Sequence, residues 1–470
     1  MVDLTTIVDS ALQEGVTYCD VRFVKNKEED IAVRNGSPEK VLSKTDEGYG
    51  VRVLYDGAWG FAAGQDPQST ARSAVRVAKA SALAKKTGIE LAEESSYTDS
   101  WQTPLKKDPF SIPIEEKIAL LTDCSRHMLG HEDIKVAQAT MRCRMQEKWF
   151  ASSEGSSIQQ THTFCGAGIG CFAVRGGEMQ KRSYPTSFGG DFSQKGYEFI
   201  ESLQLPEHTE EVVDTAVALL DAPACPSGQQ DIVLDSAQLA LQVHESCGHP
   251  TELDRVFGYE ASYAGTSFLT TEKLGTFQYG SPQVTIMADS TSPGGLGTFG
   301  YDDEGVKACK TPLVDKGLFS GYLTSRETAI HLSQTSNGAM RATGFNNMPL
   351  IRMTNINLMP GDCTFEELIE DVKEGIFMET NKSWSIDDRR LNFQFGCEVG
   401  HLIENGEITH LIRNPTYTAL TPQFWGACDA VGKEWHMWGV PNCGKGEPSQ
   451  TMWVGHGTAP ARFRSIQVGV

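Results

Sequence analysis

The sequence predicts an α+β protein, with an α/β N-terminal domain over residues 1–222 followed by a β-rich C-terminal domain over residues 229–470. The first observation behind this prediction is that helical and extended patterns alternate up to residue 221. The second is that the rest of the sequence is rich in glycine and short extended runs. The third is the stretch 222–228, which contains two prolines and ends in glycine, the composition of a domain boundary.

The N-terminal elements follow from the spacing of apolar residues. Recurrence at helical spacing predicts helices over residues 4–14, 66–86, 114–128 and 209–221. Alternation and β-branched residues predict strands over residues 19–25, 30–34, 41–44, 50–55, 58–62, 134–144, 148–152 and 157–173. Asp56-Gly57 and Gly176-Gly177 are turn signals. The polar, proline-bounded segment 104–113 is predicted to be a linker.

The C-terminal domain contains few helical patterns. Only residues 236–248 and 364–376 are predicted as helices, and hairpin turns are expected at Lys316-Gly317 and Asn405-Gly406. A short buried strand at 232–234 precedes the first of these helices, and Asp235 or Ser236 can cap it.

Composition excludes several classes of function. The net charge of −20, with no basic run to offset it, argues against nucleic acid as a ligand. No segment reaches the roughly 18 apolar residues that span a bilayer, and the N-terminus lacks the pattern of a signal peptide. We therefore expect a cytoplasmic protein with no membrane partner. The 12 cysteines include no C-x-x-C pair, so most are expected to be free, buried thiols.

The stretch His244-Glu245-Ser246-Cys247-Gly248-His249 places two imidazoles around a carboxylate. Zinc proteases use H-E-x-x-H, whose histidines share one helical face, whereas this spacing is one residue longer. On a regular helix an i, i+5 pair is offset by roughly 140°, against roughly 40° for i, i+4. The histidines can converge through a π-bulge or through a helix that ends near Gly248. The glycine, followed by Pro250, favours the second solution.

Imidazole suits a borderline metal such as zinc, and an adjacent carboxylate can take a proton from metal-bound water. A catalytic zinc usually has three protein ligands. The sequence does not select the third ligand. The candidates are the nearby Cys247, Glu252 and Asp254 and the distant Cys443 and His456.

Several further blocks resemble the TldD/PmbA family of metallopeptidases, and specifically its catalytic TldD type. In family order they are Gly50-Val51-Arg52-Val53, Gly60-Phe61-Ala62, the histidine stretch with Glu252 and Asp254, Asp302-Asp303-Glu304-Gly305, Arg352-Met353-Thr354-Asn355, Leu402-Ile403-Glu404-Asn405-Gly406 and Cys443-Gly444-Lys445-Gly446. Together they run from about residue 15 to the C-terminus.

The resemblance implies a zinc ion held by His244, His249 and Cys443, with Glu245 as general base. It also implies short or unfolded peptides as substrates, and a homodimer or a heterodimer with a TldE/PmbA-like paralogue. Two residues depart from the family pattern. Cys247 stands inside the motif where an aliphatic residue is expected, and His456 interrupts the plainer C-terminal pattern near Cys443.

These residues are compatible with three functions. The first is a zinc-dependent peptidase, in which the oxyanion stabiliser is left open among Tyr259, Tyr263 and Arg352. The second is a non-catalytic regulatory or binding protein, of the gyrase-modulator kind, with a structural metal. The third is thiol hydrolysis at Cys247 without metal. The intact Glu245 favours the first, because a structural zinc needs no neighbouring base.

Overall fold

The computed structural model describes residues 3–84 and 88–470, and the chain is a mixed α+β protein. Its α-helices are α1 Leu4–Leu12, α2 Pro67–Ala84, α3 Ile114–Met128, α4 Tyr197–Ser202, α5 Thr209–Asp221, α6 Ser236–Val243, α7 Leu253–Val256, α8 Ala261–Ala264, α9 Arg326–Ala329, α10 Phe365–Glu370 and α11 Thr421–Gly426. None of the helices described combines the length and apolar composition that crossing a bilayer requires.

The strands alternate with helices early in the chain and dominate later. They are β1 Tyr18–Arg34, β2 Ser37–Tyr55, β3 Ala58–Gly64, β4 Thr98–Gln102, β5 Ile134–Ser152, β6 Ser157–Arg175, β7 Glu178–Tyr184, β8 Asp191–Ser193, β9 Gly228–Leu234, β10 Ile286–Asp289, β11 Lys310–Asp315, β12 Leu318–Phe319, β13 Met340–Arg341, β14 Leu350–Ile351, β15 Ile356–Leu358, β16 Glu374–Ile386, β17 Asn392–Glu404, β18 Glu407–Arg413, β19 Thr416–Leu420, β20 Cys428–Val431, β21 His436–Lys445, β22 Gln450–Thr458 and β23 Ala461–Val468.

The N-terminal sheet has the strand order β3-β2-β1-β5-β6-β4, with β7 and β8 also paired to β6. Helices α1 and α2 share a core with β1 and β2, while α3 and α5 share a second core with β5 and β6. The predicted helices over 114–128 and 209–221 are confirmed, as are the turns that join β2 to β3 and β6 to β7. The last residues of the helix predicted over 66–86 lie outside the described residues.

The short strands predicted at the start of the chain are parts of longer ones. β1 and β2 form one antiparallel ladder from Tyr18↔Leu54 to Arg34↔Ser37. The charged residues that interrupt the apolar pattern stay in this ladder, where Lys44 pairs with Glu28 at 3.1 Å. Backbone pairing with a neighbouring strand therefore outweighs the weak local pattern.

In the C-terminal half, β16, β9, β23, β19 and β17 pair in sequence, and β17 pairs back to β16, which closes the sheet into a small barrel. The helix predicted over 364–376 is wrong beyond Glu370, because β16 begins at Glu374. There Ile376 pairs with Ile232 of β9 in parallel, so tertiary pairing converts the apolar run into a strand.

Helix α6 leads from the barrel to the site. It follows β9 directly, and the Asp235 carboxylate caps it by accepting the backbone N–H of Gln238 at 2.7 Å. Every residue from Ala237 to Val243 is buried. The helix therefore lies in the largest apolar core and delivers its C-terminal end to the interior of the protein.

Candidate metal centre

The end of α6 changes helix type at the histidine motif. Regular α-helix stops at Val243, earlier than the predicted end near Gly248, and His244–Gly248 forms a π-helical turn in which the N–H of His249 bonds the carbonyl of His244. An i, i+5 hydrogen bond stacks residues five apart on one face. The two imidazoles accordingly converge, with ring centroids 4.9 Å apart.

The prediction that the helix ends at Gly248 with a glycine cap is wrong. Gly248 has φ −55°, an ordinary helical conformation, so its conformational freedom is not used. A Cβ at this position would lie 2.2 Å from Sδ of Met353. A side chain here would therefore require the buried Met353 side chain to move.

Three donors from two distant segments meet at this turn. His244, His249 and Cys443 are buried, and their ligand atoms lie within 4.8 Å of one another. Sγ of Cys443 is 3.8 Å from Nε2 of His249. Ligands bound to one tetrahedral zinc at about 2.1 and 2.3 Å are separated by roughly 3.6 Å. The donor types and spacing therefore fit a zinc ion.

Hydrogen bonds to the outer nitrogens orient both imidazoles. Nδ1 of His456 lies 3.2 Å from the carbonyl oxygen of Ile356, which can only accept, so this nitrogen carries a proton. Nε2 of His456 then accepts from Nδ1–H of His244 at 2.8 Å. In the neutral form of His244, this series of hydrogen bonds leaves Nε2 without a proton and available to a metal. His456 is thus a supporting residue and not one of the three clustered donors.

His249 is held in the same tautomer by a carboxylate. Its Nδ1 donates to Oε2 of Glu252 at 2.9 Å, which leaves Nε2 facing Cys443. Nζ of Lys445 lies 3.4 Å from the same carboxylate oxygen and 2.7 Å from Oδ1 of Asp254. Glu252 therefore supports His249, and Asp254 binds Lys445. Neither belongs to the group of three clustered donors.

The electrostatics of the site favour the ligand forms of Cys443 and His249. Burial alone would lower the pKa of His244, but Cys443, Glu245 and Glu252 outweigh burial and raise that pKa above its ordinary value. Burial alone would raise the pKa of the Cys443 thiol, but His244, Arg352 and His249 outweigh burial and hold that pKa well below its ordinary value. Burial lowers the pKa of His249 well below its ordinary value, which keeps the imidazole neutral. A thiolate and a neutral imidazole are the protonation states that bind metal.

Glu245 is the second residue of the π-helical turn, and its side chain is almost fully buried. Its Oε2 accepts from Nη1 of Arg390, in the loop between β16 and β17. Nε of Arg390 is buried and has no partner among the described residues. Sequence reasoning missed Arg390, because no motif surrounds it. Its backbone φ of +63° lies in the left-handed region, which residues other than glycine seldom adopt.

Several residues weighed from the sequence have other roles. Cys247 packs in the apolar core, and burial raises the pKa of its thiol to about 12, which argues against thiol hydrolysis. Arg352 donates to the carbonyl of Cys443 at 2.5 Å. Tyr259 donates to Glu327 at 3.3 Å, and the hydroxyl of Tyr263 pairs with that of Ser449 at 3.0 Å.

Comparison with known proteins agrees with this architecture. Models of the PmbA/TldA metallopeptidases match in three parts, domain 1 over residues 19–83, the central domain over residues 107–220 and the C-terminal domain over residues 227–469. A metalloprotease of Methanocaldococcus jannaschii is 32% identical over 455 residues, covering 96% of each chain. A protein named zinc metalloprotease TldD homolog, from Saccharolobus solfataricus, is 24% identical and covers 98% of each chain.

Solved structures share the fold. A proposed modulator of a DNA gyrase from Thermotoga maritima superposes with a TM-score of 0.78 at 18% identity, covering 99% of each chain. TldE from Thermococcus kodakarensis superposes with a TM-score of 0.77 at 14% identity, covering 99% of this chain and all of the other. With the family models and the archaeal relative, these likenesses show that the chain belongs to the TldD/PmbA family of metallopeptidases.

Proposed function

We propose that the chain is a zinc-dependent metallopeptidase that hydrolyses short or unfolded peptides in the cytoplasm. The observation that carries the proposal is the convergence of His244, His249 and Cys443 beside the carboxylate of Glu245. The names of its relatives, metalloprotease and zinc metalloprotease, support it. His244, His249 and Cys443 would hold the metal, and the described residues offer no fourth donor in that group. A purely structural zinc is normally closed by a fourth protein ligand, so this set favours catalysis over a regulatory role.

The mechanism assigns a role to each group of the chain. Zinc supplies a Lewis acid that lowers the pKa of water and polarises a carbonyl group. Glu245 accepts a proton from the attacking water and passes it to the leaving amine. Arg390 holds this carboxylate in place by donating from Nη1 to its Oε2.

The proposal extends to a partner. A paired arrangement, either a homodimer or a heterodimer with a TldE/PmbA-like paralogue, would enclose the peptide. The likeness in fold to a protein named TldE supports this extension. Its test is the molar mass of the purified protein, alone and mixed with such a paralogue.

The variant Glu245→Gln tests the base. We expect peptide hydrolysis to fall by about 10² to 10⁴-fold, while zinc content stays at the wild-type level because the carboxylate is not among the clustered donors. Peptide turnover and metal content are measured on the same preparation. Glu210→Gln, at an exposed position of α5, is the matched control. Near-normal turnover by the zinc-loaded Glu245→Gln protein would remove Glu245 from the mechanism.

A further inference from the structure

A cavity of about 320 Å³ lies where the N-terminal sheet meets the C-terminal half of the chain. Pockets that bind small ligands begin at roughly 300 Å³. Trp59, on β3, forms one wall, and the C-terminal half contributes apolar side chains that include Met340, Met348 and Leu350. This space is wide enough for a long side chain.

The cavity adjoins the metal centre through both donor segments. Asp254, which lines it, follows His249 by five residues, and Gly446, which also lines it, follows Cys443 by three. Lys445 joins these walls to the centre, because its Nζ lies 2.7 Å from Oδ1 of Asp254. A group in the cavity would therefore sit beside the segments that supply the metal donors.

Two carboxylates of the cavity have no cation within ion-pair distance among the described residues, the half-buried Glu327 and the exposed Glu447. Oε2 of Glu327 accepts from Nε1 of Trp59 at 2.8 Å, and Oε1 accepts from Tyr259 at 3.3 Å. Among the described residues no cation lies within ion-pair distance of Glu327, and burial raises the pKa of its carboxyl group. Arg52 also lines the cavity. Its charge is already matched by Asp20 at 2.7 Å and Glu304 at 3.0 Å.

We propose that this cavity is a specificity subsite that takes a lysine or arginine side chain of the peptide substrate. The methionine and leucine walls suit the aliphatic stem of such a side chain. The cationic group of that side chain would form an ion pair with Glu327, which has no other cation within ion-pair distance. The inference rests on the proposed peptidase function and names its substrate class.

The experiment uses zinc-loaded full-length enzyme and quenched fluorescent peptides that differ at one position. Each position on either side of the cleaved bond carries lysine, arginine, norleucine or glutamate in turn. Norleucine keeps the stem of lysine and removes its charge. At one position we expect kcat/KM for lysine and arginine to exceed that for norleucine by about tenfold, since a charge-assisted hydrogen bond to a half-buried carboxylate is worth about one decade.

Glu327→Gln should remove this preference while norleucine peptides are cleaved at the wild-type rate. Glu327→Lys should reverse it in favour of glutamate. Glu272→Gln, at an exposed glutamate, is the control. Affinity for the same peptides is also measured on zinc-loaded Glu245→Gln protein.

Equal kcat/KM for lysine and norleucine at every position overturns the subsite and leaves the peptidase standing. Absence of hydrolysis of all peptides overturns the peptidase instead. In that case tighter binding of lysine peptides supports the subsite, and equal binding overturns it as well.

Discussion

At the scale of single residues, the site combines a motif with contacts that no motif records. His244, Glu245 and His249 are recognisable from the sequence because they stand within six residues. Cys443 is 194 residues from His249, and spacing cannot select it among 12 cysteines. Only family resemblance singled it out. His456 and Glu252 were candidate ligands in the sequence, and only the hydrogen bonds to the imidazoles show their supporting roles.

Substitution of Cys443 and substitution of Cys247 should have different effects on zinc content. Cys443→Ala should lose most zinc and melt at a lower temperature, because it removes a thiolate that ties β21 to the metal helix. Cys247→Ala should keep zinc and peptide hydrolysis, because its side chain packs in the apolar core. Zinc content, hydrolysis and melting temperature are compared for both variants. Loss of zinc from Cys247→Ala alone would exchange the two assignments.

Arg390 can be tested against its neighbour. Arg390→Ala should lower kcat by about 10²-fold or more, since it removes a charged donor beside the base, and zinc content should be unchanged. Arg389→Ala, at the exposed preceding position, should retain wild-type kcat. Arg390→Lys should restore part of the rate, because an ammonium group keeps the charge and loses the fork of donors. Equal rates for Arg390→Ala and Arg389→Ala would contradict a role for this guanidinium.

At the scale of elements, local signals predicted some boundaries and tertiary contacts set others. α3 begins directly after Pro113, and α5 ends before a proline, so both helices were found from the sequence. At the histidine motif the local sequence favours a helix end over a π-helical turn, because glycine and proline usually end helices. The neighbours of the turn satisfy its carbonyl groups instead: Tyr279 donates to the carbonyl of Ser246 at 2.8 Å. Such a partner, 33 residues away, cannot be read from the local sequence.

The cap of α6 should make stability depend on pH. Burial, together with Glu379, raises the pKa of Asp235 from 3.8 to about 7. The folded protein therefore binds more protons here than the unfolded chain between these values, and the free energy of unfolding falls as pH rises from about 4 to about 7. Asp235→Asn keeps an acceptor for the N–H of Gln238 and has no charge to bury.

We therefore expect metal-free Asp235→Asn to gain stability relative to the metal-free wild type as pH rises, by a few kcal/mol at most. Urea unfolding of both proteins at pH 5 and pH 8 measures this difference, in which the other titrating groups cancel. A difference that is the same at both pH values would show that the Asp235 carboxyl group does not titrate in this window.

At the scale of the whole molecule, buried ion pairs join the N-terminal sheet to the C-terminal half. The block Asp302-Asp303-Glu304-Gly305 resembles a family signature in the sequence. In the structure it supplies carboxylates to these ion pairs. Glu304 pairs with Arg52 at 3.0 Å, and Asp303 pairs with Lys148 at 2.6 Å. Partners separated by 155 residues or more cannot be matched from sequence alone. The junction also forms the cavity beside the metal centre, because Arg52 lines it.

The last prediction concerns the stability of this junction. Burial alone would raise the pKa of Asp303, but Lys148 and Arg22 hold it below its ordinary value, so the carboxylate is ionised. Asp303→Asn keeps the acceptor for the backbone N–H of Ala342, 2.7 Å away, and leaves two buried cations without this charge. Breaking a buried pair costs about 3–5 kcal/mol.

The free energy of unfolding of Asp303→Asn should fall by that amount, as measured by urea denaturation at neutral pH. Glu39→Gln removes a charge from the exposed Arg34–Glu39 pair and should change it by about 0–1 kcal/mol. Zinc content should be unchanged in both variants, because neither residue belongs to the donor group. If the unfolding midpoints of the two variants coincide, the buried ion pairs do not hold the two halves together, and the apolar contacts across the junction must do so.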